Sequence, residues 1–459
     1  MHRPREGMDR RVFLELLSAG VGLAAVRGLA AQGLAGAVDA TLHISPVEIE
    51  IAPGKTIKTI GYNGQVPGPF LRFREGQRLT IDVFNDTNEP ELVHWHGLFI
   101  PSDVDGSAEE GTPFIPPHRS QRYSFVARPS GTRWYHTHVS AGRNLKRSTY
   151  TGQFGMLYIE PRSEPAQYDS EEALCLHGWQ PYLKSAGGEG SLEAVYESFT
   201  VNTRAMGHGE PIRVREGQRV LFRILNASAT LHHQIALSGH QFTVVSLDGN
   251  PVPVRRFVDV LSLGPAERVD AVVTMNAPGV WILGELDDGI RNKGLGVIVE
   301  YENRSGTPRW IQPANTSWDY TVFGSDSKAA DPSGAPEIVP MVFQRKFAGT
   351  NWVDHWTING KEYPKADPIP LRENHNYRLQ FINQSDDDHP VHLHRHSFEI
   401  TNFAGKNTAG VMKDVVVVPR RSKVEVDFLA GNPGPTLFHC HQQLHMDFGF
   451  MTLLRYADT

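Results

Sequence analysis

One strand motif occurs three times along the chain, and this repetition limits the folds that the sequence can adopt. The motif begins with a glutamate, alternates apolar and polar residues, and ends at an asparagine. Its copies are residues 75–85, 216–226 and 373–383. Alternation with a period of two is typical of a strand with one buried face. The repeat therefore predicts three related β units.

A second motif follows each copy in the same order. It consists of an alternating stretch that leads, after a glycine, into a second apolar stretch, at residues 120–136, 267–284 and 422–439. Preserved order argues against chance likeness among strands. The chain also carries 43 glycines and 31 prolines, which favour many turns and short strands. We predict an all-β protein of three consecutive Greek-key β-sandwich domains.

The boundaries between these domains are predicted from turn-forming residues. Residues 162–172 are rich in Pro, Ser and Glu, and residues 303–336 contain clusters of Gly, Pro and Ser. The predicted domains are residues 38–161, 173–302 and 336–459.

The first 37 residues form a predicted export signal. Arg10 and Arg11 precede a short apolar stretch, 12–26, and the small residues 35–37 resemble a cleavage site. This arrangement resembles a twin-arginine export signal. The apolar stretch is shorter than the roughly 20 residues that span a bilayer. We therefore expect a periplasmic or extracellular protein without stable membrane insertion, and we expect a monomer.

Composition narrows the class of function. The chain has 45 basic and 51 acidic residues and a net charge of -6, without a block of one sign, so nucleic-acid binding is not expected. Two cysteines cannot build a disulfide framework. Cys175 lies between two leucines and is predicted to be a small buried residue. The 21 histidines suggest metal ligands.

Eight histidines occur as four His-X-His pairs. Residues two apart on a strand point to the same face, so each pair presents two imidazoles to one side. Neutral imidazole suits copper, iron, nickel or zinc, and eight imidazoles exceed what one ion binds. The sequence therefore predicts several ions held by His94, His96, His136, His138, His392, His394, His439 and His441.

A second site is predicted from the same alternation. Cys440 lies between two of these histidines, so its sulfur faces the other way. His389 also faces away from the pair that follows it, and His445 can fold back towards Cys440. Two His and one Cys form a trigonal blue-copper site. Because Cys440 is flanked in sequence by ligands of the first site, the pattern indicates electron transfer between the sites.

These four clusters resemble the signature motifs of the multicopper oxidases, the laccase-like family with three cupredoxin-like domains. The resemblance covers the chain from about residue 40 to its end. It implies four copper ions. His389, Cys440 and His445 would hold type 1 copper, and His94 and His392 type 2 copper. The type 3 pair would be held by His96, His136, His138, His394, His439 and His441.

The resemblance also implies roles for residues beside the ligands. Phe450 occupies the axial position of type 1 copper and offers no donor, as in higher-potential laccases. Asp105 matches the family's acid near the trinuclear site and would deliver protons, or it is simply a turn residue before glycine. Met446 stands where many bacterial members have Glu, followed by Asp447. Arg395 departs from the usual glycine, and either lies near the trinuclear site or points to solvent.

The activity implied is one-electron oxidation of a small reducing substrate, through type 1 copper and Cys440, coupled to reduction of O₂ to water. Phenols and aromatic amines are the expected substrates. One alternative is a metallo-oxidase acting on Cu(I), Fe(II) or Mn(II). Another is a copper-binding cupredoxin protein without turnover. The middle domain lacks the ligand motifs, with 284–286 in place of the Cys motif, so no copper is expected there.

Overall fold

The computed structural model describes residues 37–185, 191–325, 335–349 and 352–457. Strands dominate the regular structure within these ranges, and two five-residue helices accompany them, α1 (Asp288–Asn292) and α2 (Gln443–Asp447). Neither helix is long and apolar enough to cross a membrane. The predicted export signal falls outside the described residues, except for Ala37.

The first unit of the fold consists of strands β1 to β8. Two four-stranded sheets have the orders β2-β1-β4-β6 and β3-β8-β7-β5. The strands are β1 (Ala40–Ala52), β2 (Lys55–Tyr62), β3 (Leu71–Arg74), β4 (Arg78–Asn85), β5 (His94–His96), β6 (Arg119–Val126), β7 (Gly131–His136) and β8 (Phe154–Glu160).

The middle unit consists of strands β9 to β19. Its sheets have the orders β10-β9-β12-β17-β14-β15 and β11-β19-β18-β13-β16. The strands are β9 (Ser170–Ser185), β10 (Leu192–Val201), β11 (Ile212–Val214), β12 (Arg219–Asn226), β13 (His233–Leu237), β14 (Phe242–Leu247), β15 (Asn250–Val258), β16 (Leu261–Leu263), β17 (Arg268–Thr274), β18 (Val280–Glu285) and β19 (Gly296–Tyr301).

The third unit consists of strands β20 to β30. Its sheets have the orders β21-β20-β23-β28-β25-β26 and β22-β30-β29-β24-β27. The strands are β20 (Glu337–Lys346), β21 (His355–Ile358), β22 (Ile369–Leu371), β23 (Asn376–Asn383), β24 (His389–Leu393), β25 (Phe398–Phe403), β26 (Lys406–Lys413), β27 (Val415–Val418), β28 (Lys423–Leu429), β29 (Thr436–Cys440) and β30 (Met451–Tyr456).

The three units share one topology, and the all-β prediction is confirmed. Strands β1, β9 and β20 each pair in parallel with the strand of the first repeated motif, β4, β12 or β23. That strand in turn pairs antiparallel with β6, β17 or β28. The second sheet of every unit contains an equivalent pair of parallel strands. These pairs are β3 with β8, β11 with β19, and β22 with β30.

The repeated asparagine explains why each copy of the first motif ends where it does. Asn85, Asn226 and Asn383 are buried at the ends of β4, β12 and β23. In each unit the amide Nδ2 donates to backbone carbonyls of two different segments, and Oδ1 accepts from the N–H two residues on. A buried amide is stable only when paired, so these bonds fix the strand end to its loop.

Apolar side chains from the inner strand faces form the cores. One continuous cluster runs through the middle and third units, and a separate cluster fills the first unit. A third cluster, which includes Trp134, Trp179 and Val415, contains residues of all three units. Strand β9 begins at Ser170, inside the predicted 162–172 boundary. The predicted domain limits stay predictions.

Candidate metal centre

Four strand segments bring the His-X-His pairs together. In the first unit β5 pairs with β7, so that His94 lies opposite His136. In the third unit β24 pairs with β29, so that His392 lies opposite His439. The alternation of a strand places the second histidine of each pair on the same face as the first.

The eight imidazoles meet between the first and third units. The rings of His96 and His392 stack with centroids 3.8 Å apart, and those of His94 and His394 lie 4.1 Å apart. All eight side chains are buried. We call this group the histidine cluster, defined as His94, His96, His136, His138, His392, His394, His439 and His441.

The histidine cluster divides into groups of ligand size. Within each group the ligand atoms lie within 4.8 Å of one another. The three groups made of histidine alone are His94, His96 and His392; His96, His136 and His441; and His138, His394 and His439. A cluster that breaks into overlapping triads suits several ions rather than one.

Buried ring nitrogens without a hydrogen-bond partner indicate whether the cluster can bind metal ions. Six of the eight imidazoles have one buried nitrogen with no hydrogen-bond partner among the described residues. His394 Nε2 and His439 Nε2 instead face each other at 3.0 Å. Burial lowers the pKa of His94 to about 4 and that of His392 to about 3. Neutral imidazoles with inward lone pairs are the donors that Cu, Fe, Ni or Zn prefer, so the cluster fits metal ions.

The opposite face of strand β29 carries a second group. Cys440 Sγ lies 3.9 Å from His389 Nδ1 and 3.6 Å from His445 Nδ1, and the two nitrogens are 3.1 Å apart. All three side chains are buried, and His445 comes from helix α2. Burial raises the pKa of the Cys440 thiol. A bound cation would favour the thiolate, and two imidazoles with one thiolate suit copper.

Phe450 lies beside this second group. Its ring centroid is 4.8 Å from that of His389, and the side chain is fully buried. The next residue, Met451, points to the other face of strand β30, where it packs with Leu437 and Met446. Because neighbouring residues of an extended chain face opposite ways, Phe450 and not Met451 faces the second group.

Two buried carboxyl groups of the first unit contact the histidine cluster. Asp105 Oδ2 lies 2.8 Å from His394 Nδ1 and 3.0 Å from His94 Nδ1. Its turn passes so close to β5 that a Cβ on Gly106, at φ +99°, would lie 1.9 Å from a backbone oxygen. Glu110, which the sequence analysis missed, has Oε2 3.3 Å from His394 Nδ1. Burial raises the pKa of Asp105 to about 7 and that of Glu110 well above its usual range.

Asp414 is the other acidic contact that the sequence did not reveal. Its Oδ1 lies 3.1 Å from His96 Nε2, and its backbone oxygen lies 2.7 Å from His392 Nδ1. The residue stands more than 300 positions from His96 along the chain, so no local motif could connect the two.

The residues that depart from the family pattern have structural contacts. Arg395 is buried and donates to the backbone carbonyls of Ile100, Asn432, Pro433 and Pro435, so it does not point to solvent. Met446 is packed in a small apolar cluster.

Asp447 lies beside the loop that follows the second His-X-His pair. Its Oδ2 accepts from the backbone N–H groups of Ala141 and Gly142, and its Oδ1 accepts from Gln443.

Two histidines of the middle unit contact a carboxylate and a hydroxyl instead of other histidines. His233 Nδ1 lies 2.8 Å from Glu285 Oε2, and His232 Nε2 lies 2.7 Å from Ser262 Oγ. Cys175 is buried and free. In the described part of this unit, no three metal-ligating side chains converge.

A small cavity reaches the second group from outside. It has a volume of about 110 Å³ and is lined by His445, the ring of Trp356 and apolar residues that include Leu192 and Leu444. His445 and Trp356 have ring centroids 4.0 Å apart. His445 is thus the member of the second group that faces this cavity.

The cavity wall is acidic. Three carboxylates line it, from Glu193, Asp354 and Asp387, together with one cation, Arg345. Arg345 pairs with Asp354 and lies 3.9 Å from Asp387. Burial raises the pKa of both Glu193 and Asp387.

Comparison with known families places three multicopper oxidase models on the chain. They match residues 43–164, 179–292 and 336–459. Together they span all three units of the fold.

Individual relatives agree with these matches. The chain is 29% identical to the multicopper oxidase MmcO of Mycobacterium tuberculosis, over 91% of this chain and 87% of the relative. It is 26% identical to Laccase-4 of Thanatephorus cucumeris, over 86% and 85%. The fold is similar to that of Fet3p, a multicopper oxidase that functions in iron import, with a TM-score of 0.76, 19% identity and coverage of 91% and 90%.

Proposed function

This chain belongs to the multicopper oxidase family, and on that premise we propose that it holds four copper ions and oxidises phenols and aromatic amines. Its domains are cupredoxin-like, and it is a copper-dependent oxidoreductase that uses O₂ and a reducing substrate. The observation that carries the proposal is the complete set of buried donors: ten histidines and one cysteine in two adjoining groups.

The ligands divide as follows in this proposal. Type 1 copper is held by His389, Cys440 and His445, and type 2 copper by His94 and His392. One type 3 ion is held by His96, His136 and His441, and the other by His138, His394 and His439. The support is the grouping of ligand atoms within 4.8 Å. Bound copper supplies one-electron redox chemistry and a binding place for O₂.

Cys440 joins the two groups covalently. Its sulfur belongs to the type 1 group, while its backbone continues directly into His439 and His441 of the cluster. Cys440 would therefore give electrons from the reductant a short path between the two groups. Copper held there would supply the chemistry that reduces one O₂ to two waters with four electrons and four protons.

Phe450 leaves the type 1 group with three donors. A phenyl ring offers no lone pair, so Phe450 would add no fourth ligand to copper held by His389, Cys440 and His445. Because the ligands are one control of the potential of such a site, copper held there would have the higher potential needed for phenols.

Asp105 is the proton-delivering carboxyl in this proposal. It contacts His94 and His394, and Glu110 lies beside it, so the two acids form a buried pair next to the cluster. A carboxyl group in that place can give a proton to reduced oxygen and be reloaded through its partner.

Reductants are oxidised at His445, the ligand that faces the cavity. Trp356 and the apolar side chains of Leu192 and Leu444 favour an organic ring, and the carboxylates of Glu193 and Asp387 favour a protonated amine or a phenolic hydroxyl donor. The same carboxylates support the second candidate, a metallo-oxidase, because oxygen ligands suit hard cations such as Mn(II). A binding protein without turnover is disfavoured by the complete ligand set.

Export is part of the proposal. Arg10 and Arg11, the apolar stretch and the small residues before Val38 support a twin-arginine signal and a periplasmic or extracellular location. Detection of the mature chain in a periplasmic fraction, with loss on Arg10→Lys plus Arg11→Lys, tests this.

Oxygen uptake by the copper-loaded protein tests the substrate class. A phenol, an aromatic amine, Cu(I), Fe(II) and Mn(II) are compared by catalytic efficiency under one set of conditions. We expect one of the organic reductants to be fastest. A metal ion far above both organic substrates would establish the second candidate, and no uptake with any of them would support the binding protein.

A further inference from the structure

The middle unit contributes no residue to the histidine cluster. A buried arginine of this unit nevertheless binds Asp414, the carboxylate that contacts His96. Arg268 is the first residue of strand β17 and is 0% exposed. Its Nη1 donates to Asp414 Oδ1 and its Nη2 to Asp414 Oδ2, both at 2.6 Å. A bidentate pair of this kind fixes the plane of the carboxylate as well as its position.

The guanidinium itself cannot turn. Nε donates to the carbonyl of Thr132, and the other two N–H groups donate to the carbonyls of Ala266 and Asp248. All five donors of Arg268 are therefore in use. Arg133, from the first unit, adds a hydrogen bond of 3.2 Å to Asp414 Oδ2.

Asp414, held in this way, hydrogen-bonds to two histidines of the cluster. His96 Nε2 donates to Asp414 Oδ1, which leaves Nδ1, buried and without a partner among the described residues, as the nitrogen with a free lone pair. His392 Nδ1 donates to the backbone oxygen of Asp414, which leaves Nε2 in the same condition. The bond made by one ring nitrogen decides which nitrogen can bind a metal.

The chain makes space for this arrangement at Gly97, directly after the first His-X-His pair. A Cβ there would lie 2.6 Å from Asp414 Oδ2 and 2.9 Å from Arg268 Nη2. Gly97 also has φ +81°, where side chains are strained. The glycine is thus required by the Asp414–Arg268 pair itself.

We propose that Arg268 is a positioning residue for the trinuclear copper site, because it fixes Asp414, which sets the binding nitrogens of His96 and His392. This inference rests on the ligand assignment proposed above. It gives the middle unit a role in the metal site: Arg268 of β17 holds Asp414, which hydrogen-bonds to ligands contributed by the other two units.

A comparison of two arginines separates positioning from simple burial. Arg223, also in the middle unit, is 1% exposed and pairs with Asp270 at 2.8 Å, and none of its hydrogen bonds within the described residues is to a histidine. Arg268→Lys and the control Arg223→Lys each keep a positive charge and lose the planar guanidinium, which in Arg268 makes the bidentate pair and in Arg223 joins Asp270 to Glu171. Both variants are expected to lose stability by similar amounts.

The readout is copper binding, measured on the full-length protein by competition with a chelator and by the type 2 electron paramagnetic resonance signal. Loss of an outer support typically lowers metal affinity about 10–100-fold. We expect that loss at the trinuclear site for Arg268→Lys, with an altered type 2 signal and unchanged blue absorption. Arg223→Lys should keep wild-type affinity and signal. Equal copper affinity and signal in the two variants would overturn the proposal.

A double variant tests the route of the effect. If Arg268 acts through Asp414, then Arg268→Lys combined with Asp414→Asn should weaken copper binding little more than Asp414→Asn alone. Additive losses would show that Arg268 acts by another route.

Unaltered protein provides a test that does not depend on variant folding. In a crystal structure of the copper-loaded wild type, His96 should bind through Nδ1 with Asp414 still on Nε2. Binding through Nε2 would contradict the proposal. A wild type that binds type 1 copper but none in the cluster would instead defeat the ligand assignment on which it rests.

Discussion

The third and middle units hold a histidine in the same structural setting, but what faces that histidine differs. In the third unit His389 Nε2 lies 2.7 Å from the hydroxyl of Ser385, and in the middle unit His233 Nε2 lies 2.9 Å from that of Ser228. Each serine stands two residues after the repeated asparagine. The shared topology therefore places and orients both imidazoles in one way.

The residue opposite the histidine decides the chemistry. Cys440 pairs in register with Val391, two residues after His389, and Glu285 pairs with Ile235, two residues after His233. Cys440 and Glu285 are thus equivalent positions. A carboxylate there makes a 2.8 Å hydrogen bond to the imidazole, whereas a thiol leaves the His389 nitrogen facing a second histidine.

The first unit has a third residue type at the position equivalent to Cys440 and Glu285. There Thr137 stands between two histidines of the cluster, and its hydroxyl lies 3.3 Å from Glu91 Oε2. The first unit therefore contributes four histidines to the histidine cluster, but it has Thr137 where the third unit has the sulfur of Cys440. The comparison indicates that the metal chemistry was placed on this fold by a few side chains rather than by different backbones.

The largest effect is expected from Cys440→Ser, which makes the third unit resemble the first. A hydroxyl cannot supply the thiolate that gives type 1 copper its colour. The intense blue absorption and all substrate oxidation should be lost, while the histidine cluster keeps its copper. Absorption spectra and oxygen uptake measure both. A variant that stays blue would mean that Cys440 is not the ligand.

The next largest effect is expected from Asp105→Asn in the first unit. An amide cannot carry the proton, and proton transfer by a placed side chain contributes about 10²–10⁴-fold. All four coppers and reduction by substrate without air should be preserved, but reoxidation by O₂ should slow at least about tenfold, the low side of that range. The loss of turnover should be greatest at high pH, where solvent supplies few protons.

Asp447→Asn is the matched control, since Asp447 binds backbone N–H groups of Ala141 and Gly142 rather than the cluster. It should reoxidise much faster than Asp105→Asn. Stopped-flow reoxidation from pH 5 to 8 measures both variants. If Asp105→Asn reoxidises at the wild-type rate throughout that range, Asp105 is only a turn residue and does not deliver protons.

A smaller effect is expected from Phe450→Met. A thioether in place of the phenyl ring beside His389 adds a weak axial donor, which should lower the potential of type 1 copper without loss of colour. Redox titration of the blue absorption measures it. Met451→Leu, on the opposite face of β30, should leave the potential unchanged. Equal shifts in both variants would show that packing, and not the axial position, controls the potential.

The smallest effect on activity is expected from Glu285→Ala in the middle unit. The change leaves buried His233 without its Nδ1 partner, which costs about 1–3 kcal/mol of unfolding free energy. Copper content and turnover should stay at wild-type values. Denaturant unfolding and metal analysis test this, and a loss of copper in Glu285→Ala would mean that the middle unit binds an ion after all.

Local patterns in the sequence predicted much of the fold and the grouping of the histidines. The three asparagines mark real strand ends, and the alternation along β29 correctly predicted that Cys440 and its two flanking histidines face opposite ways. Both inferences depend only on the period of a strand, which neighbouring residues reveal.

The supports of the site could not be predicted in this way. Asp414 and Arg268 meet across 146 positions of the chain, and Glu110 reaches the cluster through a turn whose path no periodicity describes. Arg395 illustrates the same limit, because four of its partners are backbone carbonyls, which any residue carries. Such contacts arise from how the units pack, and that information is absent from local spacing.

The central claim is that copper binds in the first and third units and not in the middle one. Anomalous diffraction at the copper edge, from crystals of the copper-loaded protein, tests it directly. We expect four peaks: one among His389, Cys440 and His445, and three within the histidine cluster. A peak beside His233 and Glu285, or an empty group at either predicted place in fully loaded protein, would contradict it.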